Sequence, residues 1–135
     1  MEIIHRDTDY AVRAAVALAS SGEMLSTSTL AEHVGVPVDF LRKIMQQLRN
    51  AGIVISARGP HGGYSLARKP TGITLYDIIT AIQGPIYINS CFSNHGYCEN
   101  SGSCELQSLL AETGDKFIRD MKEITLAKIL QKCQL

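Results

Sequence analysis

The stretch LAEHVGVPVDFLRKIMQQLRNAGIVISARGPHGGYSLA, residues 30–67, decides the fold of this chain. A short apolar pattern ends at Gly35, and a second begins after Pro37 and continues to Gly52. Glycine ends a helix readily because it adopts positive φ without steric cost, and proline suits a first helical turn. Two helices joined by a few residues around a glycine predict a helix-turn-helix. The second helix has apolar side chains at helical spacing, namely Phe40, Leu41, Ile44, Met45 and Leu48.

Residues 53–67 predict a β-hairpin. Two short segments with alternating polarity flank a tip rich in glycine and proline, which is typical of a hairpin with a loop longer than two residues. The tip holds Gly59, Pro60, Gly62 and Gly63. A hairpin that directly follows a helix-turn-helix is called a wing. The predicted fold class is therefore mainly α with a small β-hairpin wing, a winged helix-turn-helix.

Further helices are predicted on both sides of this unit. TDYAVRAAVALAS, residues 8–20, has the spacing of an amphipathic helix, with Thr8 as its predicted N-cap. ITLYDIITAIQG, residues 73–84, predicts a helix that starts at Thr74 with a near capping box and ends at Gly84.

The carboxyl-terminal part contains a longer amphipathic pattern, from Cys104 to about Met121, with Gly114 as its weak point. ITLAKIL, residues 124–130, then repeats the ITL that begins at residue 73. A helix of this length has no obvious place in a compact winged-helix core. Periodicity leaves two alternatives open: an arm that binds a second copy of the chain, or a helix folded back on its own chain.

Charge is distributed unevenly along the 135 residues. Net charge is zero, but residues 26–70 carry six basic side chains against two acidic ones, while residues 1–25 and 71–135 are both net acidic. A contiguous basic third fits phosphate contact, and it also fits an ordinary solvated surface. No apolar run reaches the ~20 residues of a membrane span, and the amino terminus does not resemble a signal peptide. We therefore expect a cytoplasmic protein with reduced thiols and no membrane partner.

Cys91, Cys98 and Cys104 lie in one polar stretch, CFSNHGYCENSGSC, with the spacing C-x6-C-x5-C. Clustered thiols in a reducing compartment favour metal binding, and thiolates suit zinc or an iron–sulfur cluster. Both kinds of site normally have four protein donors. His95 would complete a Cys3His zinc site within the loop, so spacing alone leaves zinc and iron–sulfur as alternatives.

These segments, in this order, resemble the winged-helix transcription regulators of the IscR and NsrR type over nearly the whole chain. RGPHGGYSLA, residues 58–67, and the cysteine triplet are the most specific parts. The resemblance implies a homodimer that binds a palindromic operator in double-stranded DNA and carries an iron–sulfur cluster, [4Fe-4S] or [2Fe-2S], in each subunit. It implies a repressor that senses nitric oxide, redox state or iron–sulfur supply. The alternative is a zinc-bound or metal-free regulator that responds to a protein or metabolite.

The resemblance also implies that the chain forms a single integrated unit with three parts. Residues 1–84 are expected to form the DNA-binding domain, residues 85–104 the cluster loop, and residues 105–135 a long dimerisation helix and a carboxyl-terminal helix. An enzyme is not expected, because no flanking pattern orients His95 as a base towards a thiol and no phosphate or cofactor loop is visible.

The amino-terminal end of a recognition helix faces base edges in the major groove. Arg42 has the chemistry for a bidentate contact to guanine and Asp39 for an accepting contact to cytosine, although an acid at Asp39 also suits a first helical turn. Arg58 and His61 are placed to enter the minor groove. The predicted DNA-binding residues are Ser28, Val38, Asp39, Phe40, Arg42, Lys43, Arg58, Gly59, His61 and Tyr64.

The fourth cluster ligand differs among the regulators that this chain resembles. Some have a histidine three residues after the last cysteine, but this chain has Gln107 there. In the nitric-oxide sensors an acid of the partner subunit completes the site, and by resemblance Asp9 of the partner subunit has that position. Asp9 also fits the electrostatics of a first helical turn, and His95 is the alternative ligand. Cys133 is expected to be an isolated thiol.

Overall fold

The computed structural model describes residues 2–93, 98–100 and 102–133. Its helices and strands confirm the predicted fold class, mainly α with one antiparallel hairpin. Single-turn 3-10 helices occur at Pro70–Gly72 and Ser90–Phe92. The other elements are α1 (Arg6–Ser21), α2 (Thr27–Val34), α3 (Val38–Asn50), β1 (Val54–Ala57), β2 (Gly63–Leu66), α4 (Leu75–Gln83), α5 (Glu105–Glu123) and α6 (Leu126–Cys133).

The predicted helix-turn-helix is confirmed by α2 and α3. Ser26 caps α2 by accepting a hydrogen bond from the Thr29 N–H at 3.1 Å, and α2 ends at Gly35, whose φ is +78°. Pro37 then precedes α3 as its N-cap residue. Both helices bury the predicted apolar faces, and the buried set includes Leu30, Val34, Leu41, Ile44, Met45 and Leu48.

The wing is tied to the chain between α1 and α2, where the sequence pattern showed only a break. Backbone hydrogen bonds join Leu25 and Tyr64 in both directions, at 2.9 and 2.8 Å. Gly63 makes this approach possible, because its φ is +147° and a Cβ there would collide with the Leu25 carbonyl. The segment at Leu25 therefore pairs with the hairpin as a third extended segment, and this pairing fixes the direction of the hairpin relative to α2.

The amino-terminal prediction was wrong in one respect, because Thr8 is not the N-cap of α1. The helix begins earlier, at Arg6, and His5 is its N-cap residue. Thr8 is instead fully buried, and its hydroxyl donates a hydrogen bond to Gln83 Oε1 at 2.6 Å. At the opposite end of α4 from Gln83, the predicted capping box is confirmed, with Thr74 as the N-cap.

The two ITL segments pair with each other. The Leu75 N–H donates to the Ile124 carbonyl at 2.7 Å, and the Leu126 N–H donates to the Ile73 carbonyl at 2.9 Å. Ile73 and Leu126 are fully buried beside this bridge, and α6 packs against α1. The carboxyl-terminal helix thus folds back on its own chain.

Helix α5 behaves differently. It packs against α4 along one side, but none of its residues is fully buried. Leu106 and Leu109 are 61% and 63% exposed, so α5 presents apolar side chains on its outer face. Within the described ranges no helix is both long and apolar enough to cross a membrane.

Replacement of Leu126 by alanine is expected to lower the free energy of unfolding by about 2–5 kcal/mol, because it leaves a cavity where α6 meets the ITL bridge. Urea denaturation measures this loss. Leu130→Ala on the same helix is the matched control, because Leu130 is only half-buried and should cost less. Equal losses in the two variants would contradict the anchoring role of Leu126.

Candidate DNA-binding surface and cysteine loop

The outer face of α3 is polar and exposed along its length. Asp39, Arg42 and Lys43 lie on this face near the amino-terminal end of the helix, and Gln46 and Gln47 continue it. The opposite face is buried in the core, so the polar residues point away from the protein. A helix fixed by one apolar face and exposed on the other has the form required to enter a major groove.

Arg42 and Asp39 form an ion pair, with 2.8 Å between Nη1 and Oδ1. Both side chains are well exposed, at 58% and 90%, so a pair of this kind contributes about 0–1 kcal/mol to stability. The pair orients the guanidinium without holding it strongly. Arg42 can therefore turn towards a guanine edge at small cost.

Two of the predicted DNA contacts on α3 also have packing roles. Phe40 is half-buried and its ring meets the ring of Tyr10 edge to face, with 5.8 Å between centroids. Val38 packs against the core as well. These side chains hold the amino-terminal end of α3 against α1, and Tyr10 is a supporting residue that sequence reasoning missed. Contact of Val38 and Phe40 with DNA stays a prediction.

The tip of the wing is exposed and polar. Arg58, Gly59 and His61 are solvent-accessible, and the tip is closed by a hydrogen bond from the Gly62 N–H to the Gly59 carbonyl at 2.9 Å. Tyr64 lies lower on β2 and packs against the core, while Ser28 is exposed in the first turn of α2. Arg58 and His61 are thus presented as a minor-groove contact requires.

Arg68 belongs to the basic segment and also makes contacts within the protein. Its guanidinium donates to the Gly72 carbonyl at 2.9 Å and lies 3.8 Å from the Asp77 carboxylate. It therefore links the end of the wing to α4. Arg68 is itself 45% exposed, and the other five basic side chains of residues 26–70 are exposed as well, so the basic charge of this segment is on the surface.

The cysteines of the loop are free thiols. Cys91 lies in the 3-10 turn Ser90–Phe92 within the loop and Cys104 directly precedes α5, both half-buried, whereas Cys98 is exposed. Over residues 2–93, 98–100 and 102–133, no three His, Cys, Asp or Glu side chains form a group that could hold a metal. The candidate ligand His95 lies outside the described residues. The thiols nonetheless supply the soft donors that zinc and iron–sulfur clusters take.

Gln107, which has the position of a histidine ligand in some similar regulators, supports the loop here. Its side-chain oxygen accepts a hydrogen bond from the Gly102 N–H at 3.3 Å. The first turn of α5 thereby holds the last part of the cysteine loop close to Cys104. A neutral amide that already binds backbone is poorly suited to be the fourth ligand.

Asp9 lies in the first turn of α1 and forms an ion pair with Arg13, at 2.9 Å between Oδ2 and Nη2. Its side chain is 49% exposed. In the described part of one chain Asp9 does not join the cysteines in a metal-holding group. The ligand role that the resemblance implies for Asp9 is in the site of the partner subunit, and it stays a prediction.

Cys133 is separate from the triplet. It is exposed at the end of α6 and lines a largely apolar hollow between α1 and α6, of about 850 Å³. Its neighbours in the lining include Val16, His33 and Ile129. The expectation of an isolated thiol fits this position.

Comparison with known proteins places the chain among transcription regulators. The model of the Rrf2 family, described as iron-dependent transcriptional regulators, matches residues 4–132. An rrf2-like HTH-type transcriptional regulator of Rhodobacter capsulatus is 30% identical over 138 residues, covering 95% of this chain and 92% of that protein.

Solved structures agree with the architecture. CymR, the global cysteine regulator of B. subtilis, superposes with a TM-score of 0.81 at 26% identity and covers 98% of both chains. IscR of T. potens superposes with a TM-score of 0.73 at 29% identity, over 96% of this chain and 87% of that one.

Proposed function

The chain belongs to the Rrf2 family of transcriptional regulators, and from this premise we propose that it is a repressor whose operator affinity is set by an iron–sulfur cluster on Cys91, Cys98 and Cys104. DNA binding itself follows from the family and the winged helix-turn-helix. One observation supports control of operator affinity by a cluster. Three free thiols lie between the DNA-binding unit and α5, whose outer face carries exposed leucines.

DNA is read by the end of α3 and the tip of the wing. Arg42, Lys43 and Asp39 approach base edges in the major groove, with Arg42 on guanine. Arg58 and His61 enter the adjacent minor groove, where the narrow groove attracts cationic side chains. The surrounding basic side chains contact phosphates, so affinity falls steeply with salt.

A homodimer fits both the protein and its target. Leu106 and Leu109 are apolar, exposed and on the same face of α5, and pairing with the same face of a second copy would remove them from water. A two-fold axis through paired α5 helices would set the two α3 helices on successive major grooves, about 34 Å apart. The expected operator is therefore palindromic.

The chemistry of the loop fits an iron–sulfur cluster. The loop supplies three thiolate donors, and the family is described as iron-dependent. When bound, such a cluster supplies a centre that reacts with nitric oxide or oxygen. Asp9 of the partner subunit is the proposed fourth donor, with His95 as the alternative. A carboxylate is the hard, displaceable member among soft thiolates, so its release would free α1 and change the spacing of the α3 helices.

The experiment is an anaerobic purification followed by a visible spectrum, iron and sulfide counts and a gel-shift titration at fixed salt. Coloured protein with iron and sulfide is expected, and removal of the cluster should change operator affinity at least several-fold, about 1 kcal/mol or more. Cys104→Ser should lose the colour, whereas the matched control Cys133→Ser should keep it. Asp9→Ala and His95→Ala separate the two fourth-ligand candidates by which one alters the spectrum.

A second candidate function is favoured by the likeness to CymR, described as a cysteine regulator. In this alternative the chain is a zinc-bound or metal-free regulator that responds to a protein or metabolite. Colourless protein with stoichiometric zinc, or with no metal, would support it. Equal operator binding by apo and holo protein would also reject the cluster as the sensor.

A further inference from the structure

The carboxamide of Gln83 joins two distant parts of the chain through three hydrogen bonds, which together are called the clasp. Its Oε1 accepts from the His5 N–H at 2.8 Å and from the Thr8 hydroxyl at 2.6 Å. Its Nε2 donates to the Ile3 carbonyl at 3.0 Å. One side chain at the end of α4 thus holds both the segment before α1 and the first turn of α1.

A carboxamide suits this position because it can accept two hydrogen bonds and donate a third. Thr8 is fully buried, so its hydroxyl cannot exchange a lost partner for water. In the described part of the chain no buried side-chain nitrogen or oxygen lacks a partner, and Gln83 is what satisfies Thr8. A carboxylate could accept the same two bonds but could not donate to Ile3, and an apolar side chain could make none of the three.

The clasp lies where the proposed sensor meets the DNA-binding unit. Asp9 follows Thr8 directly, and its own N–H donates to the His5 carbonyl at 3.0 Å. Gln83 is followed at once by Gly84, with φ +81°, and the chain from there leads to Cys91. The first residues of that connection, including Tyr87 and Ile88, line one hollow with the amino-terminal segment and α5.

We propose that Gln83 is a positioning residue for the cluster site. It fixes the first turn of α1, and with it Asp9, relative to residues 84–90, which lead from α4 to Cys91. This inference rests on the proposed function, because Asp9 of one subunit is taken as the ligand for the loop of the other. A movement of residues 84–90 is then transmitted through the Gln83 carboxamide to Asp9, the proposed donor for the cluster of the partner subunit. Conversely, release of Asp9 by the cluster relaxes the connection to α4.

The test separates positioning from stability with a double variant. Gln83→Leu alone leaves the Thr8 hydroxyl buried without an acceptor and should destabilise the fold. Thr8→Val combined with Gln83→Leu removes both polar groups, so the double variant should fold well and still lack all three clasp bonds. Gln131→Leu, the same change at an exposed position of α6, is the matched control.

Two readouts are expected to change in the double variant. The backbone amides of His5 and Asp9, which are hydrogen-bonded in the wild-type structure, should exchange with solvent about tenfold faster or more in the apo double variant, since the segment has lost its attachment. The anaerobic spectrum of the holo protein should shift to that of Asp9→Ala. Operator affinity of the apo protein should stay within about twofold of wild type, because α3 and the wing are untouched.

The outcomes distinguish this inference from the proposed function. If wild-type protein is coloured but the double variant keeps wild-type exchange rates and spectrum, Gln83 has no positioning role and the cluster proposal stands. If wild-type protein holds no iron and sulfide, the proposed function fails and the positioning role fails with it.

Discussion

Replacement of Arg42 by alanine is expected to abolish operator binding over the concentration range in which wild-type protein binds. Loss of a bidentate contact to guanine costs about 1–3 kcal/mol, and a dimer loses it in both half-sites, so affinity should fall by about 30-fold or more. The exposed ion pair with Asp39 contributes little to folding, so the variant should stay folded and dimeric. The structure supports this result by presenting Arg42 on the polar face of α3, away from the core.

The measurement is a gel-shift titration at fixed salt, on an operator selected by the wild-type protein from a pool of random duplexes. Arg58→Ala should also abolish binding over the same concentration range, because each half-site loses its minor-groove contact. Arg119→Ala removes the same charge from exposed α5 and serves as the matched control, with affinity expected within about threefold of wild type. Unchanged affinity of Arg42→Ala would show that α3 does not read the operator through this residue.

Replacement of Leu109 by glutamate is expected to dissociate the proposed homodimer. Leu109 is 63% exposed in the single chain, so the substitution should not disturb the fold of the monomer. In a symmetric α5 pair it would place two carboxylates at one apolar interface, where neither has a partner, and each buried unpaired charge is strongly unfavourable. We expect dimer dissociation to become at least about 100-fold more favourable and operator affinity to fall by a similar factor, because a monomer contacts one half-site.

Sedimentation or light scattering measures the mass, which should fall to that of the 14.7 kDa chain. The control is Ser108→Glu, because Ser108 is the exposed neighbour of Leu109 on α5 and points to a different side of the helix. If Leu109→Glu remains dimeric at the wild-type concentration, the exposed leucines of α5 are not the interface.

Prediction from sequence succeeded where the determinants are local. Gly35 and Pro37 bound the turn between α2 and α3, and the capping box at Thr74 starts α4, as expected. These features depend on backbone preference and on side chains within one turn of a helix. The prediction at Thr8 failed for the opposite reason, because its partner Gln83 is 75 residues away.

The cysteine loop shows the same division. Sequence alone identifies three thiols and the chemistry that they favour, and the family match agrees with a regulator. It does not show that Gln107 holds the loop backbone, nor that Asp9 is paired with Arg13. Both are matters of which side chains meet after folding. The three-part division at residues 84 and 104 and the ligand set stay predictions.

By itself the sequence determined the helix-turn-helix, the wing, the exposed end of α3 and the thiol-bearing loop, because helical period, glycine position and residue chemistry are local properties. Tertiary structure alone decided that Leu25 pairs with Tyr64, that one ITL segment pairs with the other, and that Gln83 holds the start of α1. Those contacts join residues far apart in the chain. A local pattern shows which side of a helix is apolar, but only the packed chain shows what lies against it.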